Sequence, residues 1–230
     1  MGITLQGGPK IVTGSMSLCL DSYSTKSYSG TSAWNDLTLN NLTGSIIGAT
    51  FSENSLLFNG IGNYVSVVAG VNTSPRANNF TVSAWFKTIY TPVGNSNIIS
   101  NYPPFPNRSF YAIYFGSNGC LFGFIRDSAQ NTVVPTSTKV VSDGNWHNAT
   151  LIRDGSGGKL YIDGILDSTD TNLSLNDLNL DSNSLNIGRN SATNGQYFKG
   201  NIQTTYYYNR ALSPTEVLQN YLALKTRFDK

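Results

Sequence analysis

Short runs of alternating hydrophobic and polar residues recur along most of the chain. The clearest is "FTVSAWFK" (80–87), in which every second residue is apolar: Phe80, Val82, Ala84 and Phe86. Alternate residues of a strand point to one face, so this run predicts a strand packed on a core. Comparable runs, separated by turn residues, occupy 55–60, 64–69, 80–89, 109–116, 120–127, 146–153, 159–162, 184–189 and 198–209. This spacing predicts an antiparallel sandwich or barrel.

The residues between these runs favour tight turns. Asp163-Gly164 stands between two apolar runs as a two-residue hairpin loop, and Ser117-Asn118-Gly119 joins two aromatic runs. Glycine adopts the positive φ of such loops at low cost, and Asp and Asn tolerate it. The stretch 91–109 differs, because its four prolines argue against a regular central strand. We expect it to be a loop that exposes Tyr102 and Phe105.

The C-terminal part of the chain predicts a last strand and one helix. In "TYYYN" (205–209) the tyrosines should alternate between core and surface. Beyond it, Ser213 is placed as N-cap, Pro214 at the first helical position and Glu216 at the capping-box position. The apolar residues of this helix share a face that should lie against the sheet: Val217, Leu218, Tyr221 and Leu222.

Composition and charge limit the classes of function that the chain can have. A chain of 230 residues can form one all-β domain, and we assign residues 15–230 to it. Charged residues make up only 12% of the chain, the net charge is +2, and the basic residues are scattered, which argues against a nucleic-acid partner. No apolar run reaches the roughly 18 residues of a membrane span, and the start lacks a secretory signal. We therefore expect neither a membrane partner nor export.

The first 14 residues, "MGITLQGGPKIVTG", are punctuated by glycine and are interpreted as an arm outside the core. Such a segment either becomes ordered on a partner or frays, and the sequence leaves both open. A docking role for residues 1–14 is therefore one hypothesis.

The two cysteines, Cys19 and Cys120, lie in apolar runs without the spacing of a zinc site. Buried thiols are the default interpretation. Whether the two pair in a disulfide stays open, because sequence does not give the required geometry.

Several stretches, taken together, identify a family. "NYVSV", "FTVSAWFK", "DGNWHNATLIRDGSGGKLYIDG", "LNIGRN" and "FKGNIQTTYYYNRALSPTEV" follow one another in the order seen in laminin-G-like domains of the concanavalin A-like lectin/glucanase superfamily. The chain resembles these domains over roughly residues 55–222. The resemblance implies an all-β fold, a two-sheet antiparallel jelly-roll sandwich with one short C-terminal helix.

The preceding segment, 15–51, carries a looser resemblance. Its "LCLD", "SYSG" and "WNDL" are similar to the lead-in of such domains in structural proteins of tailed bacteriophages. A phage origin also fits a chain made in the host cytoplasm without a signal. The resemblance implies a location on the virion surface, with other virion proteins as partners, reached through the N-terminal arm.

The chain departs from the family at positions linked to a structural calcium. Asn59 and Asn63 stand where aspartates are common, and Gln203 stands where relatives often carry a calcium-binding aspartate. Because calcium prefers charged carboxylates among its oxygen ligands, we predict no cofactor. A weak calcium site through backbone carbonyls and Asn oxygens stays open.

The only histidine, His147, raises the question of catalysis. The resemblance implies that "DGNWH" begins a core strand with Trp146 buried, and no partner pattern for catalysis accompanies the histidine. Glycoside hydrolysis needs two carboxylates, whereas the only glutamates, Glu53 and Glu216, lie at a turn and in a helix cap. The glycine-rich 154–159 and the aspartates 163, 167 and 170 are interpreted as hairpin residues rather than a phosphate loop or metal loop. We predict that the chain is not an enzyme.

Binding is the remaining class of function. Sugars are held by aromatic faces together with amide and hydroxyl groups, and the proline-rich loop offers candidate ligand-binding residues: Tyr102, Phe105, Asn107 and Arg108. The prediction is a non-enzymatic bacteriophage virion surface protein, such as a capsid decoration protein, with cell-surface or environmental glycans as candidate partners. The alternative is a receptor-binding adhesin on a tail fibre or spike, and a glycoside hydrolase is a remote alternative. The sequence leaves homo-oligomer formation open.

Overall fold

Two antiparallel sheets pack face to face, which confirms the predicted jelly-roll sandwich. The computed structural model describes residues 9–68, 70–103, 109–155, 157–171, 175–178, 180, 183–190, 192–193 and 195–228. The strands are β1 Met16–Asp21, β2 Ala33–Asn35, β3 Thr43–Ile47, β4 Thr50–Ser52, β5 Ser55–Asn59, β6 Tyr64–Val67, β7 Phe80–Lys87, β8 Ser96–Asn101, β9 Phe110–Phe115, β10 Cys120–Arg126, β11 Thr132–Val133, β12 Thr136–Val140, β13 Trp146–Arg153, β14 Gly158–Ile162, β15 Ile165–Asp170, β16 Leu185–Ile187 and β17 Lys199–Tyr208. A 3-10 helix spans Val71–Thr73 and the helix α1 spans Pro214–Lys225.

The long strand β17 joins the two halves of the first sheet, which runs β15-β14-β13-β7-β17-β5-β4. The N-terminal part of β17 pairs with β5, and its C-terminal part pairs with β1. The second sheet runs β11-β10-β9-β8-β16-β6-β3-β2, with β12 beside β10. The hydrophobic core lies between the two sheets.

The alternation in β7 is confirmed as a core face. Its four predicted inward residues are all fully buried in the main hydrophobic cluster: Phe80, Val82, Ala84 and Phe86. Burying a large apolar side chain stabilises a fold by about 1.5–3 kcal/mol. The register places Leu151 of β13 opposite Val82, which continues the apolar layer into the next strand.

The proline-rich stretch contains a strand that the sequence did not predict. β8 is buried at every residue and lies between β9 and β16 inside the second sheet. The expectation of a loop over 91–109 was therefore wrong for 96–101. The prolines flank the strand, with Pro92 before it and Pro103 after it, so neither removes a donor from the ladder.

The helix is capped as predicted but buries a different face. Ser213 and Glu216 form the reciprocal capping box, and Pro214 lies in the first turn. The buried residues are Val217 and Leu224, while Leu218 is 41% exposed and Leu222 is 44% exposed. Tyr221 stacks on Trp85 of the first sheet with ring centroids 5.3 Å apart. The packed face is thus 217, 221 and 224, and the inclusion of Leu218 and Leu222 was wrong.

The helix also explains the tyrosines of β17. Tyr207 lies in the inter-sheet core, and Tyr206 and Tyr208 belong to a second apolar cluster beneath α1. All three are buried, so the predicted alternation with the surface was wrong. Both faces of this strand are covered, one by the second sheet and one by the helix.

Residues 10–12 lie against α1 and the end of β17. The Val12 N–H donates to Asn220 Oδ1 at 2.7 Å, and the Tyr208 hydroxyl donates to the Val12 carbonyl at 2.9 Å. Ile11 and Val12 pack on the apolar cluster beneath the helix. Residues 1–8 lie outside the described residues. The docking role of the N-terminal arm stays a prediction.

The predicted hairpins are present. Asp163 and Gly164 join β14 to β15 with φ values of 54° and 78°, as a turn with two left-handed residues requires. In the described part of the chain, no helix has the length and apolarity needed to cross a membrane.

Candidate functional site

Of the four predicted ligand residues, the structure describes one. Tyr102 is partly buried and stacks on Phe110, with ring centroids 3.9 Å apart, so it is less exposed than expected. Phe105, Asn107 and Arg108 lie outside the described residues. Sugar binding by these four side chains stays a prediction.

Tyr102 begins a row of aromatic rings on the outer face of the second sheet. We call this row the aromatic strip: Tyr102, Phe110, Phe124, Tyr114 and Phe122. The Phe110 and Phe124 rings are nearly parallel at 4.6 Å, and those of Tyr114 and Phe122 at 5.2 Å. Burial raises the pKa of Tyr114. Because the rings stack on one another, they leave less free ring face for a ligand.

His147 connects two turns of the first sheet. Its Nδ1 lies 2.8 Å from Asp163 Oδ2 in the β14–β15 hairpin, and its Nε2 lies 3.1 Å from Asp143 Oδ1 before β13. The other Asp163 oxygen accepts the Asn148 backbone N–H at 2.8 Å. Both ring nitrogens therefore face carboxylates, which the sequence did not indicate. The imidazole holds the two turns together.

These contacts change the pKa values of His147 and Asp143. Burial alone would lower the pKa of His147, but the hydrogen bonds and charges of Asp163 and Asp143 outweigh it, so that pKa is raised. For Asp143, burial would raise the pKa, but hydrogen bonds from Asn145 and His147 lower it overall. Both shifts favour the charged forms, as in a structural ion pair.

Trp146, predicted to be buried, is only partly buried. Its ring contacts Phe228 with centroids 4.8 Å apart, and Lys87 Nζ lies 5.6 Å from the ring centre. The first residue of β13 lies at the edge of the helix-covered area, which explains why the prediction was wrong.

A cavity of about 870 Å³ lies on the first sheet beside β5, β7 and β17. We call it the main groove. Its volume falls within the range of small-molecule sites, which are mostly apolar with a few polar groups. Tyr90 is 37% exposed and Leu57 is 38% exposed in its lining. Lys87, Lys199 and Asn201 supply polar groups.

Hydrogen bonds fix the segment that carries Tyr90. The Thr88 hydroxyl donates to the Lys199 carbonyl at 2.7 Å and accepts the Tyr90 backbone N–H at 2.9 Å. Lys199 Nζ then lies 5.4 Å from the centre of the Tyr90 ring, a cation–π contact. The groove therefore presents an aromatic ring and an ammonium group held side by side.

The ammonium groups of Lys87 and Lys199 differ in whether a carboxylate already pairs with them. Lys87 Nζ forms an ion pair with Glu53 at 2.7 Å, which lowers the pKa of Glu53. Lys199 has no ion-pair partner among the residues that the structure describes. The main groove thus favours a ligand with negative charge near Lys199.

Sequence reasoning missed the main groove because its residues are far apart in the chain. Lys87 ends one predicted strand, and Lys199 and Asn201 begin another. Only the register of the sheet, which pairs Asn201 with Lys87 and Lys199 with Asn59, brings them together.

Of the residues named for calcium, Asn59 already uses its side-chain oxygen within the fold. Asn59 Oδ1 accepts three backbone N–H groups, from Ile61, Gly62 and Asn63, at 2.9–3.3 Å, so this oxygen holds a turn. Within the described ranges, no group of three or more His, Cys, Asp or Glu residues is arranged to hold a metal. A weak calcium site through backbone carbonyls and Asn oxygens stays a prediction.

The two cysteines are free thiols rather than a disulfide. Burial, together with Asp21 and Asp36, raises the pKa of Cys19 to about 12. Because the thiolate is the reactive form, Cys19 is an inert core residue at neutral pH.

Solved structures share this fold at low sequence identity. The sialidase of Trypanosoma rangeli in complex with 2,3-difluorosialic acid superposes with a TM-score of 0.72 at 16% identity, over 97% of this chain and 35% of the sialidase. The binding domain of Paraclostridial mosquitocidal protein 1 superposes with a TM-score of 0.73 at 16% identity, over 90% of this chain and 52% of that domain's chain. The ligand-binding domain of botulinum neurotoxin serotype D, solved with N-acetylneuraminic acid, superposes with a TM-score of 0.70 at 17% identity. The match covers 90% of this chain and 50% of the neurotoxin chain.

The chain spans only about a third to a half of these solved chains, and the identities establish the fold alone. No curated protein sequence matches the chain. The laminin-G-type family model described as "Concanavalin A-like lectin/glucanases superfamily" matches residues 58–218. That range covers well over half of the chain and agrees with the two-sheet architecture. The chain therefore belongs to the concanavalin A-like lectin/glucanases superfamily.

Proposed function

We propose that this chain is a non-enzymatic, glycan-binding domain on the surface of a bacteriophage virion. The observation that carries the binding function is the main groove, where Tyr90 and Lys199 stand side by side in a lectin-like fold. An aromatic face suits the apolar side of a sugar ring, and an ammonium suits a carboxylate or hydroxyl. The neurotoxin domain solved with N-acetylneuraminic acid supports an acidic sugar as the first ligand to test.

The described carboxylates support a binding role rather than hydrolysis. Glu53 pairs with Lys87, and Glu216 caps the helix. Asp143 and Asp163 both face His147. Most glycosidases other than sialidases need a carboxylate pair flanking the scissile bond, whereas each of these groups already has a structural partner. Incubation with 3′-sialyllactose should release no sialic acid, and release that is lost on Asp163→Asn would contradict the proposal.

Glycan binding is tested on a printed array of sialylated and neutral oligosaccharides. Tyr90→Ala and Lys199→Ala should each weaken binding about tenfold, since truncating an aromatic or charged anchor of a binding site typically costs more than about 1 kcal/mol. The matched control is Leu39→Ala, at a residue that is 98% exposed and does not line the main groove. An array without bound glycans, or equal binding by all three variants, would contradict the assignment.

The virion location rests on the resemblance of segment 15–51 to phage structural proteins. Cryo-electron microscopy of particles that carry the chain distinguishes the two placements. Density that repeats over the capsid lattice is expected for a decoration protein. Density confined to fibres or the tail tip would instead support the receptor-binding adhesin, and particles without this density would contradict both.

A further inference from the structure

A second cleft of about 560 Å³ adjoins the main groove on the first sheet. The two share Lys87 and Gly144 in their linings. The second cleft lies between β17 and the residues that follow α1. The side chains that matter for its chemistry are Tyr23, Glu53, Lys87, Trp146, Gln203 and Arg227.

Gln203 lines this second cleft and carries a buried side-chain oxygen without a partner among the described residues. The residue is 3% exposed and lies where the pairing of β17 with β7 shifts register, between Ile202 and Thr204. Its backbone carbonyl is satisfied by Ser22, but no described residue donates to its side-chain Oε1. Buried polar atoms normally have a partner. A ligand that fits here should therefore supply a hydrogen-bond donor such as a hydroxyl group.

Two aromatic rings line the same second cleft. Tyr23 is 54% exposed, and Trp146 is partly exposed with Phe228 behind it at 4.8 Å. Phe228 in turn stacks on Trp85 at 4.1 Å, which fixes the Trp146 side of the cleft. Aromatic faces of this kind suit the apolar C–H face of a sugar ring.

The charges around the second cleft are balanced. Lys87 pairs with Glu53 at 2.7 Å, and Arg227 pairs with Asp21 at 2.7 Å. An acidic ligand would have to compete with these carboxylates for the two cations. This balance favours a neutral ligand, in contrast to the main groove, where Lys199 has no ion-pair partner among the described residues.

We propose that the second cleft is a separate binding site for a neutral sugar ring, which stacks on Tyr23 or Trp146 and donates a hydroxyl hydrogen bond to Gln203 Oε1. The inference rests on the proposed glycan-binding function and adds a second site of different ligand charge. Because the two sites share Lys87, neighbouring units of one glycan can occupy both.

The indole signals of the tryptophans provide a direct measurement. The chain has three tryptophans, and only Trp146 lines the second cleft, while Trp34 and Trp85 are buried. The ¹⁵N-labelled protein is titrated with the methyl glycosides of glucose, galactose, mannose, N-acetylglucosamine and N-acetylgalactosamine. At least one neutral glycoside should shift the Trp146 indole signal saturably, and more tightly than the methyl glycoside of N-acetylneuraminic acid.

Variants then test the named contacts. Gln203→Met keeps the side-chain size but removes the amide oxygen, and it should weaken binding about tenfold. Tyr23→Ala, at an exposed position, tests the same site if Gln203→Met perturbs the fold. Leu39→Ala is the control and should leave the titration unchanged. The absence of a saturable shift with every neutral glycoside, or unchanged affinity in both cleft variants, would overturn the proposal.

The two proposals fail in different ways. Array binding that depends on Tyr90 and Lys199, without a Trp146 shift by neutral glycosides, would overturn the second cleft alone. A Trp146 shift that depends on Gln203, without any effect of the main-groove variants, would overturn the assignment of the main groove.

Discussion

At the scale of single residues, His147 shows how one side chain connects distant turns. It contacts Asp143, four residues earlier, and Asp163, in the hairpin after β14. The sequence indicated the hairpin, but not that its aspartate would face the histidine, because that contact depends on the pairing of β13 with β14. The single histidine is thus a stabilising residue whose partners could be identified only from the structure.

This arrangement predicts a pH-dependent stability. The folded pKa of His147 is raised above its ordinary value. Its charge interaction therefore stabilises the fold fully below a pH of about 6.5 and is lost as the pH rises through the folded pKa. His147→Gln should lower the free energy of unfolding by about 1 kcal/mol at acidic pH and by less at alkaline pH. Chemical denaturation at both pH values measures the difference.

A penalty that is equal at the two pH values, or larger at alkaline pH, would contradict this account. Leu39→Ala is the matched control, since a nearly fully exposed leucine should show no pH-dependent effect.

The candidate ligand-binding residues could be predicted from the sequence only in part. Tyr102 was selected as an exposed aromatic, yet it stacks within the aromatic strip. Tyr90 was not selected, because nothing in its local sequence indicates that Lys199, more than a hundred residues later, would lie over its ring. Ligand sites assembled by sheet register carry little local signal.

At the scale of elements, strands whose sequences alternate were predicted even where both faces are covered, as in β7, whereas β1 and β8 were not predicted. β7 shows the expected alternation in its sequence, and β10 shows it in the burial of its residues. β1 is a short, almost fully buried run, which a pattern search cannot separate from a helix segment. β8 is buried at every position although most of its residues are polar, and a search for alternating apolar residues cannot separate such a stretch from a loop.

The helix α1 provides a prediction about its cap. Glu216 accepts hydrogen bonds from Arg210 and from the Ser213 backbone, and the Arg210 hydrogen bond is the main cause that lowers its pKa to about 2. A carboxyl group whose pKa is lower in the folded protein stabilises the fold at pH values above its ordinary pKa. This stabilisation is lost as the pH falls through the folded pKa. Glu216→Gln should cost about 1 kcal/mol at neutral pH.

Thermal unfolding across pH measures this effect. The penalty of Glu216→Gln should shrink as the pH falls from 4.5 toward 2, where the wild-type carboxyl also becomes neutral. Gln219→Ala is a useful helix control that leaves the cap intact. A penalty that persists unchanged at pH 2 would show that the charge of Glu216 is not the cause.

The N-terminal segment yields a prediction that separates folding from docking. Ile11 and Val12 pack beneath the helix, and the Val12 backbone is hydrogen-bonded to Asn220 and Tyr208. Deletion of residues 1–14 should therefore lower stability by about 1–3 kcal/mol through lost apolar burial, as measured by thermal unfolding. Deletion of residues 1–8 is the shorter comparison, which keeps Ile11, Val12 and their contacts.

The shorter deletion is also the better test of the docking hypothesis. If residues 1–8 dock the chain on a virion, their deletion should abolish incorporation while the domain stays folded. Normal incorporation of that variant would contradict docking through these residues.

At the scale of the whole molecule, the architecture was the most predictable property. Alternating runs and turn residues predicted an antiparallel sandwich or barrel, and the capping residues predicted the C-terminal helix. The family resemblance implied a two-sheet jelly roll, which the structure confirms. The order of strands in each sheet was not predictable, because it depends on long-range pairing. That order brings β5, β7 and β17 together and so creates the main groove.

The central claim is that the main groove, rather than the aromatic strip, binds glycan. The most direct measurement is a crystal structure of the chain with the tightest-binding glycan from the array. We predict sugar density against Tyr90 and within reach of Lys199. Density on the aromatic strip, or none in the main groove, would contradict the assignment.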